Sequence, residues 1–157
     1  MTVGGVAEDS IKNIENVSGG SAADALAGDS LANVLAGGLG NDILAGHAGA
    51  DTFLFNTTLN AATNLDHIAD FATEDTIDLD NSAFTAFASS GTLSADAFYS
   101  AAGATAGHDS TDRIVYNSTT GALYYDADGN KAGGVAPIEF AVVDTHAALT
   151  NADFVVV

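Results

Sequence analysis

Between residues 17 and 53 one large apolar side chain recurs every nine positions: Val17, Leu26, Leu35, Leu44 and Phe53. Small and polar residues fill the intervals. Neither the period of an amphipathic helix nor the alternation of a long strand fits this spacing. Divided from Gly19, the chain reads GGSAADALA, GDSLANVLA, GGLGNDILA and GHAGADTFL. Glycine opens each unit (Gly19, Gly28, Gly37, Gly46), and the sixth place holds Asp24, Asn33, Asp42 and Asp51. A linker of alanine and glycine has no reason to keep an apolar residue at fixed intervals. A fixed period marks a solenoid.

The columns predict the structure of one unit. Glycines permit the positive φ of a tight turn and leave room for carbonyls to point inward. The acid closes the turn with a hard anionic oxygen of the kind calcium prefers. The last three residues form a short strand whose middle side chain faces in. Successive units then lie on opposite sides of a flattened coil, about eighteen residues per turn. Leu26 stacks on Leu44 in one sheet, and Val17, Leu35 and Phe53 stack in the other. Cation sites fall between turns two units apart. Gly19, Gly20 and Asp24 face Gly37, Gly38, Gly40 and Asp42; Gly28 and Asn33 face Gly46, Gly49 and Asp51. The second unit is degraded, with Asp29, Leu31 and Asn33 in place of Gly, Gly and Asp. Asn33 offers a carbonyl oxygen without charge, so that site is expected to be the weaker.

Charge sharpens the expectation. Against 21 acidic residues stand Lys12, Arg113 and Lys131, for a net −18. Self-repulsion of that size opposes compaction and excludes an anionic partner such as nucleic acid. Bound metal ions would offset it; adaptation to high salt is the alternative. Apolar residues make up 47% of the 157, enough for a core. There is no cysteine for disulfides or thiolate metal sites. No apolar run is long enough for a membrane helix, so no membrane insertion is expected. Residues 1–15 show no basic segment followed by an apolar one, so no cleaved N-terminal signal is expected.

On these residues the chain resembles the C-terminal part of RTX (repeats-in-toxin) proteins, with haemolysin-type calcium-binding repeats and the region that follows them. IENVSGG (14–20) resembles the lead-in to such an array, and GADTFLF (49–55) its final turn. DHIADFATEDTIDLD (66–80) resembles the segment after the array in serralysin-type secreted proteases. The resemblance implies that Asp66, Asp70 and Asp75 are ligands completing the site that begins at Asp51. Read without it, these acids are the solvated face of two strands with Ile77 and Leu79 inside. NADFVVV (151–157) resembles an uncleaved type I secretion signal, which implies a role for Asp153, Phe154, Val155, Val156 and Val157. The same tail also reads as a last strand of the fold.

Beyond Ala83 the repeat is gone. TLSADAF (92–98) and ALTNADF (148–154) echo each other, each with a hydroxyl residue placed to cap a short helical turn. RIVYNSTTGALYYDADGNKAGG (113–134) reads as an antiparallel hairpin turning at STTG and running into an acidic loop, and PIEFAVV (137–143) as the next strand. The loop contains Asp126 and Asp128 in a D-x-D-G order found in calcium loops, but no glutamate follows at EF-hand spacing. It is a metal candidate, with Asp112 as a helper, or an ordinary turn. The chain has no H-E-x-x-H, no G-x-S-x-G and no two histidines at helical ligand spacing, so no enzyme is expected. His47 stands in a glycine column and is expected to face solvent.

The expected fold is all-β: a parallel β-roll over 14–56 followed by an irregular and antiparallel cap over 57–157, with short helical turns. The expected function is a secreted bacterial calcium-binding module that folds outside the cell. Its partners would be calcium ions, the type I secretion machinery and, if present, a larger upstream polypeptide. The alternative is a calcium-dependent adhesion or polysaccharide-binding module, for which Tyr99, Tyr116, Tyr124 and Tyr125 are the candidate contacts.

Overall fold

The computed structural model describes residues 2–3, 6–7 and 15–157. Strands β1 (Thr2–Val3) and β2 (Val6–Ala7) pair antiparallel. Ile14, the first residue of the expected roll, lies outside the described residues. The repeats form short strands: β3 (Asn16–Ser18), β4 (Ala25–Ala27), β5 (Val34–Ala36), β6 (Ile43–Ala45) and β7 (Thr52–Phe55). Odd-numbered strands stack parallel in one sheet, Val17 on Leu35 and Leu35 on Phe53. The two even-numbered strands stack in the facing sheet, Leu26 on Leu44. The nine-residue period therefore makes the expected two-sided coil.

Parallel pairing continues past residue 56. β8 (Asp66–Ile68) adds to β6, and β9 (Thr76–Leu79) adds to β7. Beyond Ala83 come β10 (Gly91–Thr92), β11 (Phe98–Ala101), β12 (Ile114–Asn117), β13 (Ala122–Tyr125), β14 (Ile138–Val143) and β15 (Phe154–Val156). β12 and β13 make the expected hairpin, with Gly121 at φ 78° in its turn, and β14 follows antiparallel. β14 then lies parallel on β8, so the cap extends the roll's own sheet into seven strands, ordered β11-β12-β13-β14-β8-β6-β4. The facing sheet has six, β10-β15-β9-β7-β5-β3.

These registers carry the apolar columns from roll into cap. One runs Val17, Leu35, Phe53, Ile77, Phe154; the other runs Leu26, Leu44, Ile68, Val143. From Leu35 and Leu44 onward every member is fully buried. Aromatic side chains cluster where the roll meets the cap. Phe84 meets Tyr125 and Phe140 edge-on, each at 5.1 Å, and Phe140 meets Phe55 at 5.2 Å. Such tilted contacts add to area burial. The two echoed segments form 3₁₀ turns at Ala95–Ala97 and Asn151–Asp153. Thr150 makes a full capping box with Asp153, whereas Ser94 makes no side-chain cap. Among the described residues no helix is long and apolar enough to cross a membrane.

Candidate metal sites along the rims of the roll

Because successive strands alternate between sheets, the turns gather on two rims. Turns 19–24 and 37–42 share one rim with the connection 56–65, which ends at Asp66. Turns 28–33 and 46–51 share the other with the connection 69–75, which holds Asp70 and Asp75. Asp66 therefore does not join the group that begins at Asp51. It lies on the opposite rim, under Asp24 and Asp42, because one more strand separates it from Asp70.

The sixth-column residues form a ladder on each rim. On the first, the main-chain N–H of Asp24 donates to Asp42 Oδ1 at 2.7 Å, and that of Asp42 donates to Asp66 Oδ1 at 3.1 Å. On the second, Asn33 N–H donates to Asp51 Oδ1 at 2.8 Å and Asp51 N–H to Asp75 Oδ1 at 2.9 Å. At two of the ladder ends Oδ2 has a partner: Asp24 Oδ2 accepts from Gly20 N–H, and Asp75 Oδ2 from Ala72 N–H, each at 2.8 Å. Asn33 Oδ1 accepts from Asp29 N–H at 2.8 Å. Asp70 accepts from the N–H groups of Gly46 and His47, both at 2.9 Å. His47, at φ 69°, is exposed as expected, with Nδ1 3.5 Å from Asp70 Oδ2.

The middle acids differ. Asp42 and Asp51 are buried, and Oδ2 of each has no hydrogen-bond partner. These oxygens point at the opening glycines of their own turns: a Cβ on Gly37 would collide with Asp42 Oδ2, and one on Gly46 with Asp51 Oδ2. Gly19 and Gly28 are likewise closed to a side chain, by the carbonyls of Gly37 and Gly46 and by their own column-six residues. At Gly38, Gly40 and Gly49, with φ of 96°, 127° and 126°, carbonyls of the preceding coil come close; a Cβ would lie 2.6 Å from Ala22 O at Gly40 and 2.6 Å from Leu31 O at Gly49. Each rim thus holds a buried carboxylate oxygen without a partner, in turns whose glycines let carbonyls of the neighbouring coil approach closely. Left with no cation, that oxygen favours a proton. Burial pushes the carboxyls of Asp42, Asp51 and Asp75 up, and carries Asp66 to about 7. Hydrogen bonds from the ladder N–H groups oppose the rise. Nearby acids add to it: Asp24 beside Asp42, and Asp75, Asp70 and Asp29 beside Asp51. An all-oxygen donor set with uncompensated negative charge fits a hard divalent cation.

Asn64 escaped the sequence reading. It is buried on the first rim, its Oδ1 accepting from Gly40 N–H at 3.0 Å and its Nδ2 donating to Thr57 Oγ1 and Thr58 O. No column marks it, since the connection holding it is longer than a repeat turn. His108, Asp109 and Asp112 were also missed as a group; their ligand atoms lie within 4.8 Å of one another. Of the tyrosines an adhesion surface would use, Tyr116 and Tyr125 are buried, and Tyr99 stacks on His108 at 5.0 Å.

Flattened two-sided coils, with glycine and aspartate on both rims, define an RTX-type β-roll module. The model of the family described as Peptidase M10 serralysin C terminal matches residues 3–156, and the chain belongs to that family. The family is the non-catalytic C-terminal region of serralysins. No curated protein matches. Among solved structures, the chain is similar to the AlgE6R3 subunit from the Azotobacter vinelandii mannuronan C5-epimerase, solved in solution. The identity is 23% and the TM-score 0.49, over 94% of this chain and 85% of that one.

Proposed function

We propose that this is a calcium-binding module whose folding is completed by calcium outside the cell, and whose last residues, Asp153 to Val157, are its type I secretion signal. The observation that carries the reading is the pair of buried, unpartnered oxygens, Asp42 Oδ2 and Asp51 Oδ2. The residues proposed to hold the ions are Asp24, Asp42 and Asp66 on one rim, and Asn33, Asp51, Asp70 and Asp75 on the other. The glycines at 19, 20, 28, 37, 38, 40, 46 and 49 admit the carbonyls beside them. Calcium, when bound, supplies two positive charges and a demand for several hard oxygens.

The coupling to folding follows from charge and linkage. A chain of net −18 repels itself, and its middle acids are desolvated only in the folded state. Binding confined to the folded state stabilises it by RT ln(1 + [L]/Kd), about 2.7 kcal/mol at a hundredfold excess over Kd. Extracellular modules bind calcium at about 10⁻⁴ to 10⁻³ M, so a calcium-poor cytosol would leave the chain unfolded and fit to thread an exporter. The division into a roll over 14–56 and a cap over 57–157 is proposed as an order of calcium dependence, with the roll the more dependent part.

The test is a calcium titration of the metal-depleted protein followed by far-ultraviolet circular dichroism, with magnesium as control. A transition from coil to β with calcium and not magnesium is expected. A fully folded protein in the absence of calcium would sink the reading.

A further inference from the structure

Two further buried carboxylate oxygens lack a partner, and both lie far along the chain from the rims: Asp126 Oδ1 and Asp128 Oδ1. They belong to one loop, DADGN (126–130), which leaves the end of β13. In each aspartate the other oxygen is fixed by an amide. Asp126 Oδ2 accepts from Gly107 N–H at 2.8 Å, and Asp128 Oδ2 from Val135 N–H at 3.0 Å. Asp42 and Asp51 show the same division, one oxygen held by the main chain and one left bare.

A second loop, 106–112, closes over the first. Asn130 donates from its main-chain N–H to Asp109 O at 3.0 Å and from Nδ2 to His108 O at 2.7 Å. Asp112 Oδ2 holds that second loop in shape by accepting from the N–H groups of His108 and Asp109, at 2.7 and 2.8 Å. Glycines bring the loops together. A Cβ at Gly107 would lie 3.2 Å from Asp126 Oδ2 and 3.2 Å from Gly129 Cα; one at Gly129, where φ is 67°, would lie 2.5 Å from Asp109 O. Gly107, Asp126, Gly129, Asn130 and Gly134 line an open cleft of about 380 Å³. Asp126 is only 1% exposed. Lys131 also lines the cleft, yet among the described residues no ion pair joins it to either aspartate.

We propose that the two clasped loops form a cation site in the cap, separate from the rims, that takes calcium or a similar hard divalent ion on Asp126 Oδ1 and Asp128 Oδ1. Burying two carboxylate oxygens without a partner is costly, and a cation that prefers oxygen removes the cost at both. The neighbouring His108, Asp109 and Asp112 group is not the site itself. Asp112 Oδ2 already accepts two amides, and no oxygen of that group is buried and bare. Its part is to shape the loop that closes the cleft. The inference stands whether or not the rims bind calcium, because it uses none of their residues.

Calorimetric titration with calcium on the full chain tests it in three proteins: unsubstituted, Asp126→Asn with Asp128→Asn, and Asp42→Asn with Asp51→Asn. The cap variant is expected to bind one ion fewer than the unsubstituted protein, and the rim variant to retain that ion. Equal stoichiometry and affinity in the cap variant would overturn the proposal. Should that variant not fold, the unsubstituted protein decides. On titration with gadolinium, the amide resonances of Gly107, Gly129 and Gly134 are expected to broaden and to recover on adding calcium. Persistence of those three signals after the rim glycines have broadened would refute the site.

Discussion

The main-chain N–H of Asp42 donates to Oδ1 of Asp66, 3.1 Å away and 24 residues further on. The bond above it, from Asp24 to Asp42, spans 18 residues. The same step from 18 to 24 occurs on the other rim, where Asn33 donates to Asp51 and Asp51 to Asp75. The coil thus lengthens by a third while the acid ladder continues unbroken. Asp42 and Asp51 become the middle members of three-rung ladders, and theirs are the rim oxygens left bare.

That position sets the first prediction. Asp42→Asn keeps an oxygen for the Asp24 N–H and removes the buried charge. In metal-depleted buffer the variant is expected to hold more residual β structure than the largely unfolded unsubstituted protein, since a neutral amide is cheaper to bury than a carboxylate. Its calcium affinity is expected to fall by about tenfold or more, the loss of roughly 1.4 kcal/mol or more of binding. Asp51→Asn should behave alike. Calorimetry, and circular dichroism with and without calcium, measure the two effects. A variant that loses stability in both conditions would mean the carboxylate serves the fold and not an ion.

The raised carboxyls give the second. Asp66 stands at about 7, and burial raises Asp42, Asp51 and Asp75 as well. Unfolded aspartate titrates at about 3.9. The metal-free fold therefore binds more protons than the unfolded chain. Its stability is full below about pH 4 and falls as pH rises toward about 7, where Asp66 ionises. Metal-depleted protein is expected to hold more β structure at about pH 5 than at about pH 8. Calcium binding needs the ionised acids, so calcium should add far more structure at the higher pH. Circular dichroism at both values, with and without calcium, decides it. A metal-free β content that climbs with pH contradicts the assignment.

Glycines on the rim should differ from glycines elsewhere. Gly40→Ala and Gly49→Ala each put a methyl 2.6 Å from a carbonyl of the preceding coil, at φ of 127° and 126°. Loss of about 2–3 kcal/mol or more is expected, measured by denaturant unfolding in saturating calcium. Gly103→Ala, at φ 74° with nothing within 4 Å, isolates the backbone strain alone and should cost about 1–2 kcal/mol. Equal losses would mean that close approach of the coils contributes nothing.

What the sequence shows of this fold follows from what each column does. Gly, Asp and Leu at fixed intervals reveal β3 to β7, since each residue type has one task per unit and the task repeats. The next two strands keep the acid and the apolar residue but drop the glycines, because connections of ten and seven residues do not need positive φ at set places. The spacing changes with them, so the family resemblance puts Asp66 with the wrong rim. Pairing of β14 on β8 and of β15 on β9 joins residues more than seventy apart. No local pattern encodes that; Ile68 opposite Val143 and Ile77 opposite Phe154 are ordinary apolar residues until the strands meet. Asn64 likewise became legible only with its partners in place.

The last prediction concerns the C-terminus. β15 lies between β9 and β10, with Phe154 and Val156 buried and Phe154 5.3 Å from Phe98. The Val157 N–H donates to Leu79 O, and the Asn81 N–H donates to Val157 O. Deleting residues 154–157 would expose the whole edge of β9, so a deletion that stops export cannot separate signal from strand. Phe154→Ala alone is expected to cost about 3–5 kcal/mol. Val157 is 41% exposed and its side chain packs little, so Val157→Asp should change stability by no more than about 0.5 kcal/mol. If the segment is read by an exporter while the chain is unfolded, that substitution should still cut export severalfold, because the exporter meets the side chain and not the strand. Melting in saturating calcium and the yield of exported protein, measured side by side, give the answer. Unchanged export by Val157→Asp, with loss only where folding is lost, would leave β15 a structural strand and no more.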